Sequence, residues 1–163
     1  MSLEEIQYKL DRTYQKYYNI NKLKKLNKPE LLSAPFILKI YEEYLNSPVK
    51  IMFVGKEVNS WQSKLDKIIK KEDFLEILKN RYQKEFDTEE GWNTAFFRTY
   101  KNIREQLTNN KKGTIVWNNL LKFSYDNKGT YSKNAICHSE ELEKISIEVF
   151  KEEVTVLKPD FIF

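Results

Sequence analysis

The feature that most constrains the fold is a short, almost continuous apolar run, V-K-I-M-F-V at residues 49–54, which Gly55 follows directly. Its length and its β-branched residues are typical of a strand buried on both faces of a parallel sheet. A second run of the same character, T-I-V-W, occupies residues 114–117. A third, D-F-I-F at 160–163, follows Pro159. We therefore predict three buried strands.

Apolar residues at helical spacing separate these strands. They predict helices at about residues 3–18, 35–45, 63–86, 89–107 and 140–158. Ser33 and Pro35 are expected to start the second helix, Thr88 to cap the fourth and Ser139 to cap the last. Strands that alternate with long helical connections predict an α/β fold, with a parallel sheet covered by helices on both faces.

The length of 163 residues is enough for one domain with a hydrophobic core. We predict a single domain over residues 1–163, in which a helical segment, 1–47, precedes the first strand. Because the sequence stops on apolar residues inside the third predicted strand, the domain is expected to lack its C-terminal part.

Several classes of protein are excluded by simple counts. The one cysteine, Cys137, excludes an internal disulfide, and with one histidine, His138, it cannot complete a Cys/His zinc site. We predict no metal and no cofactor. No apolar run approaches the roughly 20 residues of a membrane span, and the charged N-terminus lacks the apolar core of a signal peptide. A cytoplasmic location without membrane contact follows by default. The net charge of +4 permits a polyanionic partner but does not require one.

Two segments at the carboxyl ends of predicted strands are candidates for a ligand site, because ligands of open parallel sheets bind there. The first reads G-K-E-V-N-S-W at 55–61. It supplies a tight exit from the strand, several polar groups and aromatic rings: Gly55, Lys56, Glu57, Asn59, Ser60, Trp61 and, on the strand itself, Phe53. Either ring can stack on a planar ligand. The competing interpretation is an ordinary polar turn with Trp61 in the core.

The second candidate segment is the pair Asn118 and Asn119, directly after T-I-V-W. Asparagine is depleted in strands, so two in succession require an explanation. An asparagine amide offers a donor and an acceptor, which suits the polar edge of a nucleobase. The competing interpretation is a cap or turn at the end of the strand.

Three segments occur in an order that resembles the uracil-DNA glycosylase-like superfamily. They read I-M-F-V-G-K-E-V-N-S-W, T-I-V-W-N-N-L-L-K-F and E-V-T-V-L-K-P-D-F-I-F, and the similarity covers residues 49–163. The first is most similar to a bacterial branch whose motif is V-G-x-E-x-N-x-W. The resemblance implies a three-layer α/β/α sandwich with a central parallel sheet of four strands, and a protein that excises or binds a nucleobase in DNA. It also implies that Glu57, with Asn59, positions or activates water, and that Asn119 reads the uracil edge.

The sequence departs from that family in its first motif and at its end. Glu57 and Val58 stand where an Asp or Asn and a proline are usual, and no fourth strand with a histidine loop follows. His138 precedes the third strand, so it does not replace that histidine. Because excision requires stabilisation of the departing base anion, the chain as given is expected to be inactive. The alternative is a non-catalytic α/β module that binds a nucleotide or a protein. A third interpretation is that the likeness reflects only the common pattern of α/β sheets.

Overall fold

The computed structural model describes residues 1–23, 25, 31–57, 64–124, 126–127, 130–131 and 140–163. Helices in this part of the chain are α1 (Leu3–Tyr17), α2 (Ile20–Leu23), α3 (Glu42–Leu45), α4 (Leu65–Ile68), α5 (Phe74–Thr88), α6 (Ala95–Thr108) and α7 (Glu140–Leu157). Strands are β1 (Ile51–Glu57), β2 (Ile115–Leu121), β3 (Asp126–Asn127), β4 (Thr130–Tyr131) and β5 (Phe161–Ile162). The chain therefore has a mixed α/β fold.

The three predicted strands form one small, open, parallel sheet. Its strand order is β2–β1–β5, so the first strand along the chain lies in the middle. Ile51 pairs with Ile115 on one side and with Phe161 on the other. β3 and β4 form a separate antiparallel pair. The three strands and their parallel pairing are confirmed, although β1 begins two residues later than predicted and β2 continues through both asparagines.

Helices pack on the sheet through apolar and aromatic side chains. From α6, Phe96 and Tyr100 contact the ring of Phe53 on β1, with ring centroids 4.6 and 5.8 Å apart. α7 packs against α1 and β2. The faces that α1 and α7 bury consist of Ile6, Leu10, Thr13 and Tyr14, and of Leu142, Ser146, Val149, Glu153 and Leu157. Ile6, Leu10 and Tyr14, which recur at helical spacing in the sequence, thus form most of the buried face of α1, whereas the buried face of α7 includes the polar Ser146 and Glu153.

The helix predicted at 35–45 is wrong for most of its length. Only Glu42–Leu45 is helical, and the chain from 32 to 38 is extended and fully buried. Its backbone bonds to other segments instead: Phe36 N–H donates to the Lys122 carbonyl at 2.7 Å, and Leu38 N–H donates to the Tyr14 hydroxyl at 2.9 Å. Because the segment is buried on all sides, its apolar residues carry no information about helical period.

The connections on either side of α5 also differ from the prediction. The helix expected over 63–86 is divided into α4 and α5, and Thr88 ends α5 rather than capping the next helix. Thr94 caps α6, and its hydroxyl accepts from Phe97 N–H at 3.4 Å. Between them Glu89 adopts a left-handed φ of 50°, which separates the two helices. The predicted cap Ser139 lies outside the described residues.

Glu89 is held in this turn by three cations. Its carboxylate lies 2.6 Å from Arg104, 3.2 Å from Lys101 and 3.7 Å from Lys112. Partial burial raises the pKa of the Glu89 carboxyl, but hydrogen bonds from Arg104 and Lys101 outweigh it and leave the pKa below its ordinary value. The unfolded chain consequently binds this proton more readily than the folded one.

The sign of this pKa shift predicts how Glu89 affects stability as the pH changes. Its stabilising contribution is complete above the ordinary glutamate pKa and is lost as the pH falls through the lowered pKa of the folded state. We expect Glu89→Gln to reduce the free energy of unfolding at pH 7 and the difference from wild type to shrink below pH 4.5. Urea denaturation across this range measures it, with the exposed Glu90→Gln as control. A difference that grows on acidification contradicts the assignment.

Tyrosine hydroxyls from α5 and α6 cover the edge of the sheet formed by β2. Tyr82 donates to the Trp117 carbonyl at 2.8 Å, and Tyr100 donates to the Ile115 carbonyl at 3.1 Å. These two alternate residues lie at the edge of the sheet, where no further strand of the described residues accompanies β2. The hydroxyls thus satisfy carbonyls that a neighbouring strand would otherwise bind.

Removal of one of these hydroxyls is expected to destabilise the fold measurably. Tyr82→Phe should lower the free energy of unfolding by about 1 kcal/mol, because the Trp117 carbonyl loses a buried donor while the ring remains. Tyr8, which is 65% exposed, supplies the matched control Tyr8→Phe, for which no change is expected. Equal effects of the two substitutions in urea denaturation would show that the hydroxyl does not support the edge.

Candidate functional site

The parallel register of β1 and β2 brings the two candidate segments together. Gly55 pairs with Asn119, Val54 with Asn118, and Glu57 with Leu121. The first residues of the predicted loop are therefore strand, as are both asparagines. β2 continues past its predicted end because the segment at 33–36 bonds to residues 122–124, directly after the strand, and keeps this part of the chain buried. The candidate residues thus lie just inside the carboxyl ends of the strands.

Asn119 lies directly over Gly55. A Cβ added to Gly55 would overlap Oδ1 of Asn119 and would lie 3.3 Å from two ring carbons of Phe96. Asn119 is only 2% exposed, and its Nδ2 atom has no hydrogen-bond partner among the residues that the structure describes. A buried amide donor without an acceptor costs about 1–3 kcal/mol. The arrangement therefore leaves a donor at the carboxyl end of the sheet that an acceptor from a ligand can satisfy.

Asn118 points into a buried polar network instead. Its Nδ2 donates to Glu153 Oε2 at 2.9 Å, and its Oδ1 accepts from Lys122 Nζ at 2.6 Å. The same oxygen accepts from the backbone N–H of Asn119 at 2.7 Å. Lys122 and Glu153 form an ion pair at 2.5 Å, and neither side chain is exposed. Both polar atoms of the Asn118 amide are therefore engaged within the protein.

The network continues to α1 and to the extended segment. Tyr14 donates to Glu153 Oε1 at 2.9 Å, and Leu38 N–H donates to the Tyr14 hydroxyl. Burial lowers the pKa of the Lys122 ammonium, and Glu153 opposes that shift. The ammonium also lies 5.6 Å from the ring centroid of Phe36 and 5.7 Å from that of Phe150. Every charge of the pair therefore has several partners, as a buried ion pair requires.

Sequence reasoning missed Lys122 and Glu153, although α7 contains a signal. The residues that it buries, Leu142, Ser146, Val149, Glu153 and Leu157, follow one another at spacings of four, three, four and four. A glutamate on the buried face of an amphipathic helix indicates a buried partner. Lys122, directly after β2, is four residues from Asn118, and an even spacing in extended chain places two side chains on one side.

The other predicted site residues are divided between the core, the surface and the part outside the described residues. Phe53 is 6% exposed, and Phe96 and Tyr100 cover its ring, so it stacks within the core. Lys56 is exposed on β1. Asn59, Ser60 and Trp61 lie outside the described residues, and of Glu57 only the backbone is described. Cys137 and His138 also lie outside them.

A cavity of about 410 Å³ opens at the opposite end of the sheet. Lys50 and Asp160, which directly precede β1 and β5, contribute to its lining together with Lys158 and apolar residues of α1 and α7. Asp160 Oδ2 accepts from the Lys50 backbone N–H at 2.7 Å. This cavity therefore lies at the amino ends of the strands and contains none of the predicted site residues.

The described part of the chain holds no group of three or more His, Cys, Asp and Glu side chains placed to bind a metal ion. None of its helices combines the length and apolarity needed to cross a bilayer. Comparison with protein-family models, with curated proteins and with solved structures finds no match to this chain.

Proposed function

We propose that this chain is a uracil-DNA glycosylase-like protein that binds a nucleobase at the carboxyl ends of β1 and β2, with Asn119 reading the polar edge of the base. The observation that carries the proposal is the buried Nδ2 of Asn119 next to Gly55, which has no hydrogen-bond partner in the described part of the chain. A pyrimidine such as uracil presents carbonyl oxygens that accept from this atom, and its ring N–H can donate to an amide oxygen. One amide can thus bind two adjacent atoms of the base.

The surroundings of Asn119 support a planar ligand. Because Gly55 has no side chain, the Asn119 amide can lie against the backbone of β1, where any Cβ would overlap its Oδ1. Phe96, half-buried, contacts this same position and offers an aromatic ring beside the amide. Apolar walls with a few directed polar groups are typical of small-molecule sites.

The remaining roles follow the family resemblance and belong to the same proposal. Glu57, at the last position of β1, would position or activate water together with Asn59. Ser60, Lys56 and Trp61 would contact the nucleotide around the base. The helices on the two sides of the parallel sheet would form the outer layers of an α/β/α sandwich.

The proposal predicts that Asn119→Ala weakens nucleobase binding by about tenfold or more, since a good pair of hydrogen bonds to a base contributes roughly 1–3 kcal/mol. Isothermal titration with uracil, and with a single-stranded oligonucleotide that contains one uracil, measures the affinity. Asn102→Ala, on the exposed face of α6, is the matched control and is expected to bind as wild type does. No binding by the wild type, or equal binding by both variants, contradicts the proposal.

An excision assay on the same oligonucleotide separates an enzyme from a non-catalytic module. Release of uracil that Glu57→Gln abolishes would assign a glycosylase. Binding that depends on Asn119 without any release of the base would assign a nucleobase-binding module, which is the alternative function.

A further inference from the structure

The backbone N–H of Asn119 depends on a side chain for its hydrogen bond. β2 is an edge strand of the sheet that the described residues form, and no other described strand supplies a carbonyl on its outer side. The N–H of Asn119 donates instead to Oδ1 of the preceding Asn118, at 2.7 Å. The conformation of β2 at Asn119 therefore depends on whether the Asn118 amide turns its oxygen or its nitrogen toward this N–H.

The Lys122–Glu153 ion pair determines the direction of the Asn118 amide. The carboxylate of Glu153 accepts from Nδ2 at 2.9 Å, while the ammonium of Lys122 donates to Oδ1 at 2.6 Å. In a flipped amide, Nδ2 would face the ammonium of Lys122 and Oδ1 would face the carboxylate of Glu153. Neither contact could form a hydrogen bond, because ammonium has no acceptor and carboxylate no donor. The pair thus permits one orientation, in which Oδ1 faces the Asn119 N–H.

Stability alone does not account for this pair. Both side chains are fully buried, and the desolvation of two charges cancels much of their attraction. Apolar residues of similar volume are often equally stabilising in such positions. What the charges add, and apolar residues cannot, is a direction for the amide between them.

We propose that the buried Lys122–Glu153 pair positions the base-reading residue Asn119, acting through the fixed amide of Asn118. The inference rests on the proposed function for its ligand, but the positioning itself is a property of the free protein. Lys122 and Glu153 are positioning residues: they hold the backbone from which the Asn119 side chain extends over Gly55.

The test replaces both charges at once, by Lys122→Met with Glu153→Leu, so that no unpaired charge stays buried. The matched control is Lys16→Met with Glu152→Leu, which removes an exposed Lys–Glu pair between α1 and α7, at 3.2 Å. In the buried double variant we expect amide hydrogen exchange at Asn119 to accelerate about tenfold relative to the other amides of β2. Uracil affinity should fall by a similar factor. The control should change neither quantity.

Exchange that rises uniformly along β2, or not at all, overturns the proposal, because a merely structural pair would act on the whole strand. If this double variant does not fold, Lys122→Gln with Glu153→Gln replaces it, since two neutral amides no longer dictate the orientation of Asn118. Failure of both to fold also overturns the proposal, because the pair would then serve stability. If wild type does not bind uracil, the proposed function fails, while the exchange rates still decide the positioning.

Discussion

Replacement of Lys122 alone by methionine is expected to lower the free energy of unfolding by about 3–5 kcal/mol, which is the usual cost of leaving one member of a buried pair without its partner. Lys122 is fully buried, and its ammonium bonds to Glu153 at 2.5 Å and to Asn118 at 2.6 Å. Without it the Glu153 carboxylate would keep Tyr14 and Asn118 as donors but would lose its counter-charge. Against a typical total stability of 5–15 kcal/mol, such a loss is large.

The exposed pair Lys16–Glu152 provides the control for this prediction. The two side chains are 60% and 40% exposed, and Lys16→Met is expected to cost less than about 1 kcal/mol. Urea denaturation at pH 7 measures both variants, with the midpoint and the slope reported separately. If Lys122→Met and Lys16→Met lower the free energy of unfolding by amounts that agree within about 1 kcal/mol, the Lys122 charge is not buried in solution.

Gly55→Ala is expected to cost about 1–3 kcal/mol, as is usual for overpacking of a well-filled core. The new Cβ would overlap Oδ1 of Asn119, and the ring of Phe96 at 3.3 Å blocks movement to one side. Alanine in a strand is otherwise more favourable than glycine by roughly 0.5–1 kcal/mol, so a net loss of stability requires the clash to dominate. The displaced amide should also reduce uracil affinity.

The same geometry predicts that a second substitution rescues the first. In an Asn119→Ala background the atom that meets the new Cβ is absent, so Gly55→Ala should cost little or should stabilise. A double-mutant cycle of urea denaturation curves is expected to give an interaction of about 1–3 kcal/mol between the two sites. Additive effects would show that Asn119 does not lie over Gly55.

The sheet could be predicted from the sequence because its strands are short, apolar and bounded by breakers. The run that ends at Gly55 and the run that follows Pro159 both show length and composition that a helix would not produce. A helix at 3–18 was likewise clear from the spacing of Ile6, Leu10 and Tyr14. In these segments the structure favoured by the local sequence is also the one that tertiary packing stabilises, so the sequence pattern is sufficient to predict it.

The buried chain at 32–38 could not be predicted in this way. Its residues are apolar on every side because the chain passes through the core, and a fully buried segment shows no period. Pro35 was consistent with a helix start, but the N–H of Phe36 bonds to the carbonyl of Lys122, which is distant along the chain. Contacts between residues so distant along the chain are not encoded in any local pattern.

In the candidate site, too, some features could be predicted from the sequence and others could not. Asn118 and Asn119 were recognisable because asparagine is depleted in strands, and the parallel pairing that brings Asn119 beside Gly55 followed from the order of the strands. Which of the two amides is engaged within the protein could not be read locally, since that depends on Glu153 and Lys122. The alternation of side chains along β2 places consecutive residues on opposite faces, so the two amides have different environments.

The most direct test of the proposed nucleobase site is a titration of the ¹⁵N-labelled protein with uracil, in which the side-chain amide resonances of both asparagines are followed. We expect the Asn119 NH₂ signals to shift until saturation, because Nδ2 gains an acceptor. The Asn118 NH₂ signals should stay nearly constant, because that amide already donates to Glu153 at 2.9 Å. Uracil binding that leaves the Asn119 signals unchanged, or no binding at all, would contradict the account.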